Sequence, residues 1–269
     1  MRIVMVGAGR LATQLGRALA EAGHDILAVY SRTMASARQL AAVVGCYATD
    51  SIERLPIEAD AFIIAVKDDA LAPLLSQLAE GRRQQCFFHT AGSIPMSVFD
   101  GQVDHYGVIY PAQTFSKERK ISLARVPFFI EGSDDDSLRL ARQIASSVSE
   151  NVRELSSEQR RYLHLAAVFA CNFTNHCYAL AAEILEQHGI PFDAMLPLID
   201  ETAAKVHELH PRDAQTGPAI RYDERIINAQ QQLLADSPNL QALYTALSQS
   251  IHEKVKGVTN RKSKTKNRK

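Results

Sequence analysis

Near the start of the chain an all-apolar run, Ile3-Val4-Met5-Val6, meets Gly7-Ala8-Gly9-Arg10-Leu11-Ala12, and a helical pattern begins at once. A strand that turns directly into a helix needs a residue without a side chain at the turn, which Gly7 supplies. Gly9 lets backbone N–H groups approach a ligand, and a small residue at Ala12 lets helix and strand pack closely. The helix start leaves donors unpaired and carries a partial positive charge, so the loop suits a pyrophosphate. Because a strand precedes it and a roughly 30-residue βαβ unit surrounds it, the pattern reads as a dinucleotide-binding fingerprint.

The rest of the first half extends this unit. Strand-like runs at 2–8, 25–31, 61–66, 86–92, 105–111 and 127–132 alternate with helical patterns at 10–22, 33–44, 69–80 and 136–148. Such alternation predicts a doubly wound, mostly parallel α/β sheet. Runs that are apolar at every position, such as Phe62-Ile63-Ile64-Ala65-Val66, are expected where helices cover both sheet faces. From residue 156 the character changes. Ser156 and Gln159 form a capping box, and a helical pattern continues to His188, where Gly189 and Pro191 stop it. Further helices are predicted at 192–209, 218–235 and 238–255, with Ser237-Pro238 as N-cap and first residue. The expected organisation is a cofactor-binding Rossmann domain at 1–155, an all-α substrate and dimerisation domain at 156–253, and a disordered basic tail at 254–269.

Lys and Arg number 30 and Asp and Glu 30, but the last sixteen residues hold eight bases and no acid, so residues 1–253 carry 22 − 30 = −8. An acidic body argues against nucleic acid as a partner, except through the tail. Cys46, Cys86, Cys171 and Cys177 show no metal-site or disulfide spacing, which fits a reducing, cytoplasmic setting. No stretch has the length and apolarity of a membrane span. The helices at 157–187 and 218–235 are apolar around much of their circumference, which predicts a homodimer.

An NAD site would place Asp or Glu at the end of the second strand; this chain has Tyr30-Ser31-Arg32-Thr33. Ser31, Arg32 and Thr33 can donate to a 2′-phosphate, so the cofactor expected is NADP(H). Ligands of such sheets lie outside the carboxyl ends of the strands, which adds Ala65, Val66 and Lys67 to the cofactor residues Gly7, Gly9, Arg10, Leu11 and Ala12. His89 ends another strand and is a candidate acid or base, or else a histidine satisfied by its turn. At 100° per residue, His164, Asn172, Asn175 and His176 share an arc of roughly 120° on the long helix. That helix is apolar enough to be buried, so the polar arc predicts either a substrate cleft or an interhelical or dimer seam. In the cleft reading His176 transfers the proton and Asn172 orients the substrate, with His164 and His89 as further candidates. His207 and His210 beside Glu208 lack a third metal ligand at helical spacing, and no metal is expected. Thr216–Arg221 offers a helix start that either binds an anion or is simply capped.

The segments GAGRLA (7–12), HTAGS (89–93), YPAQTFS (110–116), PFFIEG (127–132), HLAAVFACNFTNHCYALAAEIL (164–185) and TGPAIRYD (216–223) resemble a family of bacterial Rossmann-like proteins with a C-terminal helical domain of unknown function. More distantly the chain is similar to pyrroline-5-carboxylate reductase and the 6-phosphogluconate dehydrogenase-like enzymes. The resemblance implies an NADP-binding domain and helices that form a dimer. The hydroxyacid dehydrogenases of that superfamily carry Lys and, four residues later, Asn; here Val168 precedes Asn172, so their lysine is missing and their substrates do not carry over. The function expected is an NADP(H)-dependent oxidoreductase moving a hydride to or from a small carbonyl, hydroxy or imine substrate. The alternative is a dinucleotide-binding regulatory module without turnover.

Overall fold

A computed structural model describes residues 1–115 and 120–266, with side chains described to residue 254. Its contacts divide the chain into two compact units, Met1–Tyr178 and Ala179–Lys269. The first unit begins with β1 (Arg2–Val6), α1 (Arg10–Glu21), β2 (Asp25–Tyr30), α2 (Met34–Val44), β3 (Tyr47–Thr49), β4 (Ala61–Ile64), α3 (Asp68–Ala79), β5 (Cys86–His89) and β6 (His105–Pro111). It continues with β7 (Phe128–Gly132), α4 (Asp135–Ser146), β8 (Val152–Glu154) and α5 (Ser157–Ala167). A π-helical segment, Val168–Phe173, then leads into α6 (Thr174–Gln187), which crosses into the second unit.

The eight strands form one sheet in the order β3-β2-β1-β4-β5-β6-β7-β8. All neighbours are parallel except β6 and β7, which pair antiparallel from Gly107↔Gly132 to Pro111↔Phe128. The sheet is thus doubly wound and mostly parallel, as expected. Successive residues of β1 go to opposite faces: Ile3 and Met5 join one buried cluster with Leu15, Leu19 and Leu40, while Val4 and Val6 join another with Leu71, Leu75 and Leu78. Helices on both faces explain why Ile3–Val6 has no polar position. Each fully buried Leu or Ile contributes about 1.5–3 kcal/mol, so these two clusters hold the strand ends in place.

The second unit is helical among its described residues. Beyond the end of α6 it contains α7 (Leu196–Glu208), α8 (Pro211–Ala214), α9 (Pro218–Arg221), α10 (Glu224–Leu233) and α11 (Pro238–Lys266). The helix expected at 218–235 is broken at Tyr222, which adopts φ +52, and Asp223 caps α10 by accepting from the Ile226 N–H. α11 starts at Pro238 as expected. The tail at 254–269, expected to be disordered, falls from residue 255 outside the described residues apart from the backbone of α11. Among the described residues no helix is long and apolar enough to cross a membrane.

Candidate functional site

The carboxyl ends of the parallel strands meet along one edge of the sheet. At the end of β1, Gly7 has φ +119, and its N–H donates to the Tyr30 carbonyl at 2.8 Å. A Cβ on Gly7 would lie 2.2 Å from the Ala65 carbonyl oxygen, so the loops after β1 and β4 touch only because that atom is missing. Gly9 caps α1 with extended backbone and no side-chain cap, and a Cβ there would meet nothing within 4 Å. The start of α1 therefore borders open space, without a side-chain cap and with no acid in its first turn. Ala12 is fully buried behind the loop, in the packing role expected of it.

Above this loop lies a cleft of about 910 Å³, a size that suits a large ligand. Gly7, Gly9, Arg10, Leu11, Ser31, Arg32, Ala65, Val66 and Lys67 line it, which is every expected cofactor residue except Ala12 and Thr33. Thr33 is instead the N-cap of α2, its hydroxyl donating to Ser36, which does line the cleft. The charged lining is Arg10, Arg32 and Lys67 against Asp69. The three cations have no ion-pair partner among the described residues. A Gly-rich turn, a bare helix start and cations unpaired among the described residues fit the phosphates of NADP(H).

Further along the same edge, α5 is fastened to the sheet by a buried charge. Arg160 is completely buried; it donates to the Glu131 carboxylate at 2.7 Å, to the Ile94 carbonyl at 2.6 Å and to Ser157 Oγ at 3.1 Å. Ser157 donates to the same carboxylate through its N–H at 2.9 Å and its hydroxyl at 2.6 Å, and its Oγ accepts from the Met96 N–H. The loop after β5 is tied to the start of α3 by Ser93, whose hydroxyl donates to Asp68. None of Arg160, Glu131 and Ser157 stood out in the sequence. The available signal was spacing: Ser157, Arg160 and His164 recur at i, i+3 and i+7 and share one face of α5.

The four expected catalytic residues separate. His89 is fully buried and stacked on Phe99. Its Nδ1 accepts from the Ala91 N–H at 3.2 Å, and Nε2 has no hydrogen-bond partner. Burial, and then the Arg160 charge, push its pKa down to about 3, with the Pro95 carbonyl opposing in part. Sealed from the surface, with its charged form disfavoured, the ring is poorly suited to the acid role expected of it. His164 is half-buried, with Nδ1 3.1 Å from the Tyr110 hydroxyl. Asn172, Asn175 and His176 are exposed and make no hydrogen bond among the described residues.

The 100° step behind the expected polar arc does not apply through Val168–Phe173, which is π-helical and bonds i→i+5. Nor is this stretch buried within the chain: Phe169 and Phe173 are 63% and 50% exposed. His210 caps α8 by accepting from the Arg212 N–H at 3.3 Å. The anion reading of 216–221 meets a helix of one turn that ends at Tyr222.

Sheet topology, fingerprint geometry and cleft together define a dinucleotide-binding α/β protein. The family described as NADP oxidoreductase, coenzyme F420-dependent, matches residues 2–87, and a domain of unknown function, DUF2520, matches residues 126–251. A "putative NADP oxidoreductase" of Bacteroides fragilis is 54% identical, over 94% of this chain and 98% of its own, with a TM-score of 0.90. The chain belongs to the family of that protein, in which an NADP-binding domain of the F420-dependent oxidoreductase type precedes DUF2520. The fold is shared more widely. An imine reductase of Myxococcus stipitatus in complex with NADP+ is 18% identical over 96% of this chain and 95% of its own, with a TM-score of 0.71. A pyrroline-5-carboxylate reductase of Coxiella burnetii is 19% identical over 95% and 97%, with a TM-score of 0.58. No curated protein matches the chain.

Proposed function

We propose that this protein is an NADP(H)-dependent oxidoreductase that moves a hydride to or from a small carbonyl, hydroxy or imine substrate. The observation that carries the reading is the cleft over Gly7–Leu11, whose three cations are unpaired among the described residues and where Arg32 stands in place of the acid that would select NAD. Membership of the oxidoreductase family and the reductase names of two proteins that share the fold support it. The reduced nicotinamide supplies the hydride when bound. The protein's part is to hold the dinucleotide by the α1 start, orient the substrate and move one proton. Of the expected acids, His164 is the one seated beside the strand ends with a nitrogen free, and it takes the proton-transfer role here in place of His176.

Mixing the protein with NADPH and a panel of cyclic imines, ketones and aldehydes should bleach the nicotinamide absorbance with at least one of them. Tight NADPH binding with no turnover across the panel would favour a regulatory module instead. Arg32→Ala should weaken NADPH more than NADH, by about 1.5–3 kcal/mol for a charge-assisted contact. Equal losses would remove the preference for NADP(H).

The assembly in this reading is a homodimer. Tyr162, Leu165, Phe169 and Phe173 form an exposed apolar stretch, and Leu233 on α10 is also exposed. A second copy covering the stretch would enclose Asn172 and His176 with it. The free thiols of Cys46, Cys86, Cys171 and Cys177 fit a cytoplasmic location.

A further inference from the structure

Three elements converge on the His164 ring: the loop after β5 brings Gly92, the end of β6 brings Tyr110, and α5 carries the histidine itself. The Tyr110 and His164 rings meet edge to face, with centroids 6.0 Å apart and planes at 76°, and the hydroxyl lies 3.1 Å from Nδ1. Tyr110 is itself buried and stacked against Phe129 at 6.5 Å, so its hydroxyl has little freedom. A Cβ at Gly92 would fall 2.5 Å from His164 Nδ1 and 3.0 Å from Tyr110 Cζ, crowding the point where the two rings meet. A side chain there would displace the ring. Beneath, the Arg160–Glu131 pair fixes the turn of α5 that precedes His164. All the constraint falls on the Nδ1 edge. Nε2 makes no hydrogen bond among the described residues.

Resting on the oxidoreductase reading, we propose that Tyr110 is a positioning residue for His164: its oxygen accepts from Nδ1–H, so that Nε2 is the nitrogen that exchanges the proton. Which imidazole nitrogen reacts is set by the bond the other one makes. In the reductive direction the carbon of a C=N or C=O group gains the hydride, and its π electrons move to the heteroatom. That atom then takes the proton from Nε2. The imidazolium becomes the neutral Nδ1–H tautomer, still held by the Tyr110 oxygen. In the oxidative direction the Nε2 lone pair removes the same proton. Burial raises the Tyr110 pKa, with the Arg160 charge opposing, so the phenol keeps its own proton throughout.

The test is Tyr110→Phe, which keeps the ring and removes the oxygen. In ¹⁵N-histidine-labelled protein, the neutral His164 should be mainly the Nδ1–H tautomer in the wild type and should shift toward Nε2–H in the variant. The kcat with NADPH should fall about tenfold or more, less than the roughly 10²–10⁴-fold expected on removing the proton donor itself, while NADPH affinity stays unchanged. Gly92→Ala, which crowds both Nδ1 and the Tyr110 ring where they meet, should reproduce the kcat loss with normal NADPH affinity. A wild type that turns over no imine or carbonyl sinks the oxidoreductase reading. A wild type that does turn over, with Tyr110→Phe within about twofold of it, overturns the role of Tyr110. An unchanged tautomer in the variant overturns that role whatever the turnover.

Discussion

The cleft beside Gly7 and the seat of α5 on β7 lie along one edge of one sheet, and they are built in opposite ways. The cleft is made by leaving things out: no Cβ at Gly7, none at Gly9, no acid in the first turn of α1 and, among the described residues, no ion-pair partner for three cations. The α5 seat is made by filling in: the terminal nitrogens of a fully buried guanidinium, a carboxylate and a serine hydroxyl bond one another and the backbone, and among the described residues the Arg160 Nε is the one atom of the group left without a partner. A backbone requirement leaves its mark in adjacent residues. A side-chain network joins residues 26 to 29 positions apart, as Ser157 and Arg160 are from Glu131, and leaves only the helical spacing of its α5 members.

The sharpest way to break this comparison is at the filled side. Arg160→Leu strands the Glu131 carboxylate against α5 and should cost about 3–5 kcal/mol of unfolding free energy. Denaturant titration reads that loss. The double change Arg160→Leu with Glu131→Leu should recover much of it, because an apolar pair needs no hydrogen bonds. A loss below about 1 kcal/mol in the single variant would mean that α5 is held by its apolar residues alone.

The empty side should respond in two different ways at two glycines. Gly9→Asp points a carboxylate into open space where a pyrophosphate belongs, so NADPH affinity measured by calorimetry should drop at least about a hundredfold with the unfolding midpoint nearly unchanged. Gly7→Ala meets the Ala65 carbonyl and an unfavourable φ, and should lose about 1–3 kcal/mol of stability in addition. If both variants unfold alike, Gly9 is structural and the fingerprint reading is wrong.

The same division explains which elements the sequence reveals. β1, β4 and β5 are legible because both faces are buried and their central residues, Ile3–Val6, Ala61–Ile64 and Phe87–Phe88, are apolar without a break, and the capping box at Ser156 and Gln159 forms with both bonds present. β3 escapes notice because it is a three-residue edge strand with Tyr47 exposed. The antiparallel return of β7 is set by the connection at 112–127, whose composition does not announce strand direction. The π-helical segment gives no sign either, since Val168–Phe173 has the composition of the α-helix around it. Tyr222 occupies a left-handed position that favours glycine, so the break there is hidden, although Asp223-Glu224 is a helix-start signature. For the site, local residues such as Gly7–Leu11 are legible. The separation of His89 from His164 is not, because both are histidines near polar residues and only the fold decides which one is sealed.

That contrast between two histidines has a measurable pH signature. His89 holds a folded pKa of about 3 against 6.5 for the free group, because its buried ring cannot accept a charge. Between those values the unfolded chain binds the extra proton and the folded chain does not, so stability rises with pH. The contribution is fully present above pH 6.5 and is lost as pH falls toward about 3, at up to about 1.4 kcal/mol per pH unit. His24, lowered by burial and the nearby N-terminal charge, adds a slope of the same sign. Burial alone would raise Asp134, but hydrogen bonds from the Ser137 N–H, His105, Ser137 and Ser133 outweigh it and hold the carboxyl at about 2, so its loss falls lower, between 3.8 and about 2. His89→Asn keeps an acceptor for the Ala91 N–H and removes the titrating ring. The lost stacking on Phe99 should lower the whole curve of unfolding free energy against pH, while the slope below pH 6.5 flattens by the share that His89 supplies. An unchanged slope would mean that His89 protonates within the folded protein, which would return it to the set of candidate acids beside His164.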